Sequence, residues 1–164
     1  MSSNTEAGHT KANGNATLAI ASLAAMATYL DSSVLFVAFP DITNSFSNAT
    51  TATLSWVLNA YTITFAALLV PAGKLGDRLG PRRALYIGSV IFTLASMVCG
   101  LAGSIELLIF ARVLQGVGAA VLVPSSLALV LAAFPREKLP QVVAIWGAMG
   151  AFSAALGPSL GGII

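Results

Sequence analysis

Two side chains stand where an apolar chain should carry none. Asp31 falls inside an apolar run over residues 16–40, and Arg112 inside another over 107–134. Either would cost about 2.5–3.5 kcal/mol if it faced lipid at a helix centre. Facing each other, or a wet cavity, they lose most of that penalty. Ionisable groups kept within a membrane are functional candidates on that ground. The chemistry they could do is proton exchange. Burial disfavours the charged form of a carboxylate, and a nearby guanidinium favours it. If Asp31 and Arg112 approach and part as the protein changes state, Asp31 can gain and lose a proton, which is the minimum requirement of a proton-coupled carrier. The plainer alternative is a structural ion pair that only fixes helix packing. It has more weight for Arg112, whose long side chain can reach outward to the interface. Counted from the outer ends of their runs at 1.5 Å per residue, Asp31 lies roughly 15 Å deep and Arg112 roughly 9 Å deep.

The other chemistry-bearing residues are few. Glu106 opens the fourth run, where the helix dipole favours a carboxylate. Cys99 is the chain's single cysteine and sits within an apolar run, where it reads as a small packing residue. The single histidine, His9, lies in a polar tail. No metal-ligand cluster or nucleophile with a paired base is visible, so the chain is not expected to be an enzyme or to hold a cofactor. Its energy source would be a proton gradient. The net charge of +2, with its cations confined to a few short segments, argues against a nucleic-acid partner.

The elements that must hold these residues are membrane spans. Hydrophobic residues make up 57% of the chain and charged residues 9%, where soluble domains carry about 25% charged. That predicts an all-α integral membrane fold with a lipid bilayer as its partner. Five apolar runs, at about 16–40, 54–72, 84–103, 107–134 and 141–164, are long enough to cross a ~30 Å hydrocarbon core. The fourth is overlong, with an expected true span of about 22 residues. Continuous runs of this length do not fit a β-barrel, whose strands are about ten residues of alternating polarity. Residues 1–15 are polar, expected to be disordered, and lack the basic start of a signal peptide. With the amino terminus in the cytoplasm, the inner segments hold Lys11, Lys74, Arg78, Arg82, Arg83, Arg136 and Lys138, and the outer loops hold no cation. The positive-inside rule therefore predicts a multi-pass plasma-membrane protein with a cytoplasmic amino terminus.

Four stretches together resemble the major facilitator superfamily, and more closely its drug:proton antiporter branch with fourteen membrane helices. The segment 73–83, GKLGDRLGPRR, looks like the superfamily's loop between helices 2 and 3, through Gly73, Gly76, Asp77, Arg78, Gly80, Arg82 and Arg83; Pro81 stands where a basic residue is frequent. Leu30-Asp31-x-Ser33-Val34, ending at Ala38-Phe39-Pro40-Asp41, looks like the first-helix motif of the antiporter branch. Arg112-x-x-Gln115-Gly116-x-Gly118-Ala119-Ala120 looks like the fourth-helix motif associated with proton transfer. Gly157-Pro158-x-x-Gly161-Gly162 looks like the fifth-helix antiporter motif, with Met149 and Ser153 where spaced glycines are common.

The resemblance implies a carrier of small, amphipathic or cationic compounds that works by alternating access. Asp77 and its basic neighbours would lock the cytoplasmic side, and the fifth-helix glycines would pack on a helix of a second bundle. One bundle of this family has six helices and these residues supply five. The chain is therefore expected to be an incomplete amino-terminal bundle, inactive alone, whose partners include the remaining carboxy-terminal helices. Two other readings remain open. A symporter with another substrate would be separated by the direction of counterflow in vesicles. A short membrane interaction module would be favoured by a natural stop after Ile164.

Overall fold

The computed structural model describes residues 3–161, with side chains for residues 14–159. It is built from five helices: α1 (Ser3–Ser45), α2 (Thr51–Leu79), α3 (Pro81–Gly100), α4 (Ile105–Ala133) and α5 (Leu139–Gly161). A single 3-10 turn, Arg136–Lys138, links α4 to α5. The described residues form no strand, and all five helices are long and apolar enough to cross a membrane. The expected all-α integral membrane architecture is what the chain adopts.

The helix ends differ from those read from hydropathy, and each difference has a local cause. Residues 3–15, expected to be disordered, continue α1 back to Ser3. They contain no proline, and a helix already nucleated by a membrane span extends at one hydrogen bond per added residue. Gly14 rests on the Phe134 ring at the same end of the bundle. At its other end α1 runs through Pro40 to Ser45.

The segment 73–83, read as a loop, is nearly all helix. α2 continues to Leu79, and α3 starts at Pro81, a residue preorganised for a first helical position. The chain reverses at Gly80 alone, with φ of 85°, a conformation that side chains with a Cβ rarely adopt. Charge marks where a helix leaves the bilayer, not where it stops, and Lys, Leu and Arg are good helix formers. α4 likewise spans 29 residues instead of about 22. Ser104 caps its start by accepting a hydrogen bond from the Leu107 amide at 3.2 Å, and Glu106 is exposed in the first turn.

α4 is the centre of the bundle. It packs against α3, α2 and α1, and α1 in turn carries α5. In its most apolar window 56% is buried, against 17–28% in the other four spans. Small residues make this possible. Gly118 lies so close to α3 that an added methyl would stand 2.6 Å from the Phe92 backbone nitrogen. Gly88 makes the reciprocal approach to Leu122. In lipid, where apolar burial does not draw helices together, such close backbone packing supplies the attraction. Large apolar side chains such as Ile63, Tyr86, Leu94 and Phe110 point outward.

Candidate functional site

The two ionisable residues in the membrane meet. Arg112 on α4 donates from Nη1 to Asp31 Oδ2 on α1 at 2.6 Å. Depths counted from the run ends had separated them by several ångströms. The long Arg112 side chain can span that difference. Arg112 is buried, its side chain 3% exposed, while Asp31 is 23% exposed.

Arg112 is held from four directions. The same Nη1 donates to Gln115 Oε1 at 2.6 Å, and Nε donates to the Val57 carbonyl on α2 at 3.3 Å. The Tyr61 ring lies 4.4 Å from the guanidinium carbon and offers a cation–π face. Helical spacing explains the first contact, because Arg112 and Gln115 are three residues apart on one face of α4.

Gln115 is the bridge of the site. It is 1% exposed and uses both ends of its amide. Nε2 donates to Asp31 Oδ1 at 2.8 Å and to Ser96 Oγ on α3 at 2.7 Å. Oε1 accepts from Arg112 and from the Cys99 thiol at 3.2 Å. The chemistry of the partners sets this orientation: a carboxylate can only accept and a guanidinium can only donate. Gln115 was singled out in the sequence as one letter of a motif. Val57, Tyr61, Ser96 and Cys99 were not singled out as site residues, and Cys99 was read as inert packing. The available signal was the i, i+3 spacing of Ser96 and Cys99, which puts two donor-capable side chains on one face of α3.

The other residues named from the sequence lie elsewhere. Gly116 and Gly118 do not touch the charges. Gly116 lets α2 approach at Tyr61 and Thr64, and Gly118 lets α3 approach at Phe92. Asp77, Arg78, Arg82 and Arg83 are exposed beside the Gly80 reversal, and among the described residues none of them forms an ion pair. Gly73 and Asp77 border a cavity of about 90 Å³ that also touches Ser125.

Two glycines of the fifth helix face α1: Gly157 packs directly on Ser33, and Gly150 on the Tyr29 ring, so both serve the α1–α5 contact. Their lack of a Cβ is what admits the Ser33 and Tyr29 side chains so closely. Pro158 is exposed. Only the backbone of Gly161 is described, and Gly162 lies outside the described residues.

Comparison with known proteins gives matches over most of the chain. The model of the Major Facilitator Superfamily matches residues 21–164. The chain is 41% identical over 140 residues to the methylenomycin A resistance protein of Streptomyces coelicolor, covering 85% of this chain and 29% of that protein. It is 36% identical over 148 residues to the tetracenomycin C resistance and export protein of Streptomyces glaucescens, covering 90% of this chain and 27% of the relative. It is 41% identical over 149 residues to the multidrug resistance protein Stp of Mycobacterium tuberculosis, covering 90% and 28%. The chain thus spans under a third of the length of these relatives.

Proposed function

The chain belongs to the major facilitator superfamily, and on that premise we propose that it forms part of a proton-coupled exporter of small amphipathic compounds. Further helices would complete the carrier around a small-molecule site near the bilayer midplane, and inward proton flow would drive it by alternating access. The names of the relatives, as resistance and export proteins, support the direction and the substrate class.

The observation that carries the coupling is the asymmetry of the ion pair. Asp31 is 23% exposed within these five helices, while Arg112 is buried at 3%. A proton on Asp31 cancels its charge and weakens its link to α4. Arg112 then still has the Gln115 amide, the Val57 carbonyl and the Tyr61 face, so the cation is not left unpartnered. Proton uptake thereby loosens α1, with α5 packed on it, from α4, α2 and α3. That is a switch between two packings biased by one local charge.

The carrier sits in the plasma membrane in this reading, with its amino terminus and the Gly80 reversal in the cytoplasm. The full-length protein reconstituted in vesicles with an imposed proton gradient tests it, using a fluorescent amphipathic cation as substrate. Asp31→Asn should lower gradient-driven transport about tenfold or more, since it removes the proton site and a charge-assisted hydrogen bond together. Full proton-driven transport by that variant would overturn the proposal.

A further inference from the structure

The hydrogen bonds at Gln115 give α3 a part in a site to which it contributes no charge. We propose that Ser96 and Cys99 are positioning residues, which lock the Gln115 amide in the one orientation that serves Asp31 and Arg112 together. The inference rests on the proton-coupling reading for its consequence, and on geometry alone for its first step.

A primary amide has two donor hydrogens and two acceptor lone pairs. At Gln115 all four are engaged: the hydrogens on Asp31 and Ser96, the lone pairs on Arg112 and Cys99. The contacts to Asp31 on α1 and to Arg112 on α4 itself leave one hydrogen and one lone pair over. In a side chain 1% exposed these have no access to water, and an unmet buried polar group costs about 1–3 kcal/mol. α3 supplies both missing partners from one face, an acceptor oxygen at Ser96 and a weak thiol donor at Cys99, one turn apart.

Neither side chain is long, so the backbone must be close. Phe92 lies one turn before Ser96, and Gly118 lies one turn after Gln115. The contact between Phe92 and Gly118 brings the two helices together there. The close helix crossing and the filled amide are parts of one arrangement. If the amide rotated, its oxygen would face the Asp31 carboxylate and its nitrogen the Arg112 guanidinium, both repulsive. Ser96 and Cys99 narrow the amide's rotation about its last torsion, and so hold the α1–α4 link in register until a proton arrives.

In an infrared spectrum of the full-length protein in lipid nanodiscs, the S–H stretching band of Cys99 is isolated as the difference from the Cys99→Ser variant. The expected band is lowered and broadened relative to a free thiol. It should move toward the free-thiol position in Gln115→Leu, and shift in Asp31→Asn as well, because Asp31 and Cys99 bind opposite ends of the same amide. A band at the free-thiol position in the unmodified chain, or one indifferent to Asp31→Asn, would overturn the proposal.

The second arm is gradient-driven transport by the full-length protein. Cys99→Val keeps the volume without the donor, and Ser96→Ala removes the acceptor. Each should lower transport about fivefold at unchanged expression, the effect of one hydrogen bond, and Cys99→Ser should restore it. Equal transport by Cys99→Val and Cys99→Ser also overturns the proposal. Should the unmodified protein show no proton-driven transport, the carrier reading fails while the infrared arm still decides whether α3 orients the amide.

Discussion

The guanidinium of Arg112 shows how a cation survives inside an apolar bundle. Its partners come from three helices, and only one of them is charged: Asp31 on α1, Gln115 on its own helix, and the Val57 carbonyl and Tyr61 ring on α2. Removing the cation leaves Asp31 with only the Gln115 amide and the Gln115 oxygen with only the Cys99 thiol, and breaking a buried pair costs about 3–5 kcal/mol. The partial exposure of Asp31 moderates this, so Arg112→Met should destabilise the bundle by about 2–4 kcal/mol, measured by denaturing detergent in mixed micelles. Arg112→Lys should cost less but not nothing. A lysine is a point donor and cannot reproduce the planar fork that binds Asp31, Gln115 and Val57 at once. The pair itself was legible because a charge in an apolar run is costly and therefore rare. Ser96 and Cys99 were not legible. A serine or cysteine in a helix can meet its own needs from a carbonyl three or four residues back, so its presence does not announce a tertiary partner.

At the scale of helices, the informative residues are those that lack a side chain. Gly80 is where α2 gives way to α3, and its φ of 85° is open to glycine and strained for others. Gly80→Ala should cost about 1–3 kcal/mol and loosen the α2–α3 reversal, seen as faster proteolysis between Leu79 and Pro81. Gly118 sets the distance between α3 and α4. Gly118→Val should push Phe92 away, costing about 1–3 kcal/mol by overpacking, and should move the Cys99 S–H band as well, since α3 carries the thiol. The apolar runs located all five helices, but their ends were misplaced at the polar flanks. Hydropathy reports where a chain is compatible with lipid. Helix continues past that limit as long as no residue breaks it, which is why residues 73–79 and 3–15 are helical despite their polarity.

For the whole molecule, membrane orientation is the property the charges predict most directly. With Cys99→Ser as background, Lys74→Cys should resist a membrane-impermeant thiol reagent in intact cells, and Asn48→Cys should react. The reverse pattern would invert the orientation and place the Gly80 reversal outside. The arrangement of the five helices around α4 supports two working bodies, α1 with α5 and α4 with α2 and α3, joined mainly along the α1–α4 contact. A crosslink between α1 and α5 at positions that keep their side-chain spacing should leave transport by the full-length protein largely intact, because both helices lie in one body. A crosslink from α1 to α4 beside Asp31 should abolish it.

The order of the residues was enough to determine the class, the five apolar spans, the segments that gather cations and the two ionisable groups that lie within the spans. Each follows from the energy of a residue in water against the same residue in lipid, a quantity that needs no neighbours. What only the tertiary structure decided is which residues touch. It made Gln115 the bridge, brought α3 into the site through two uncharged side chains, and turned Gly150 and Gly157 toward α1. Those outcomes depend on how closely and at what rotation helices pack. In a membrane that is settled by side-chain shape and hydrogen bonding between distant positions, to which local hydropathy is blind.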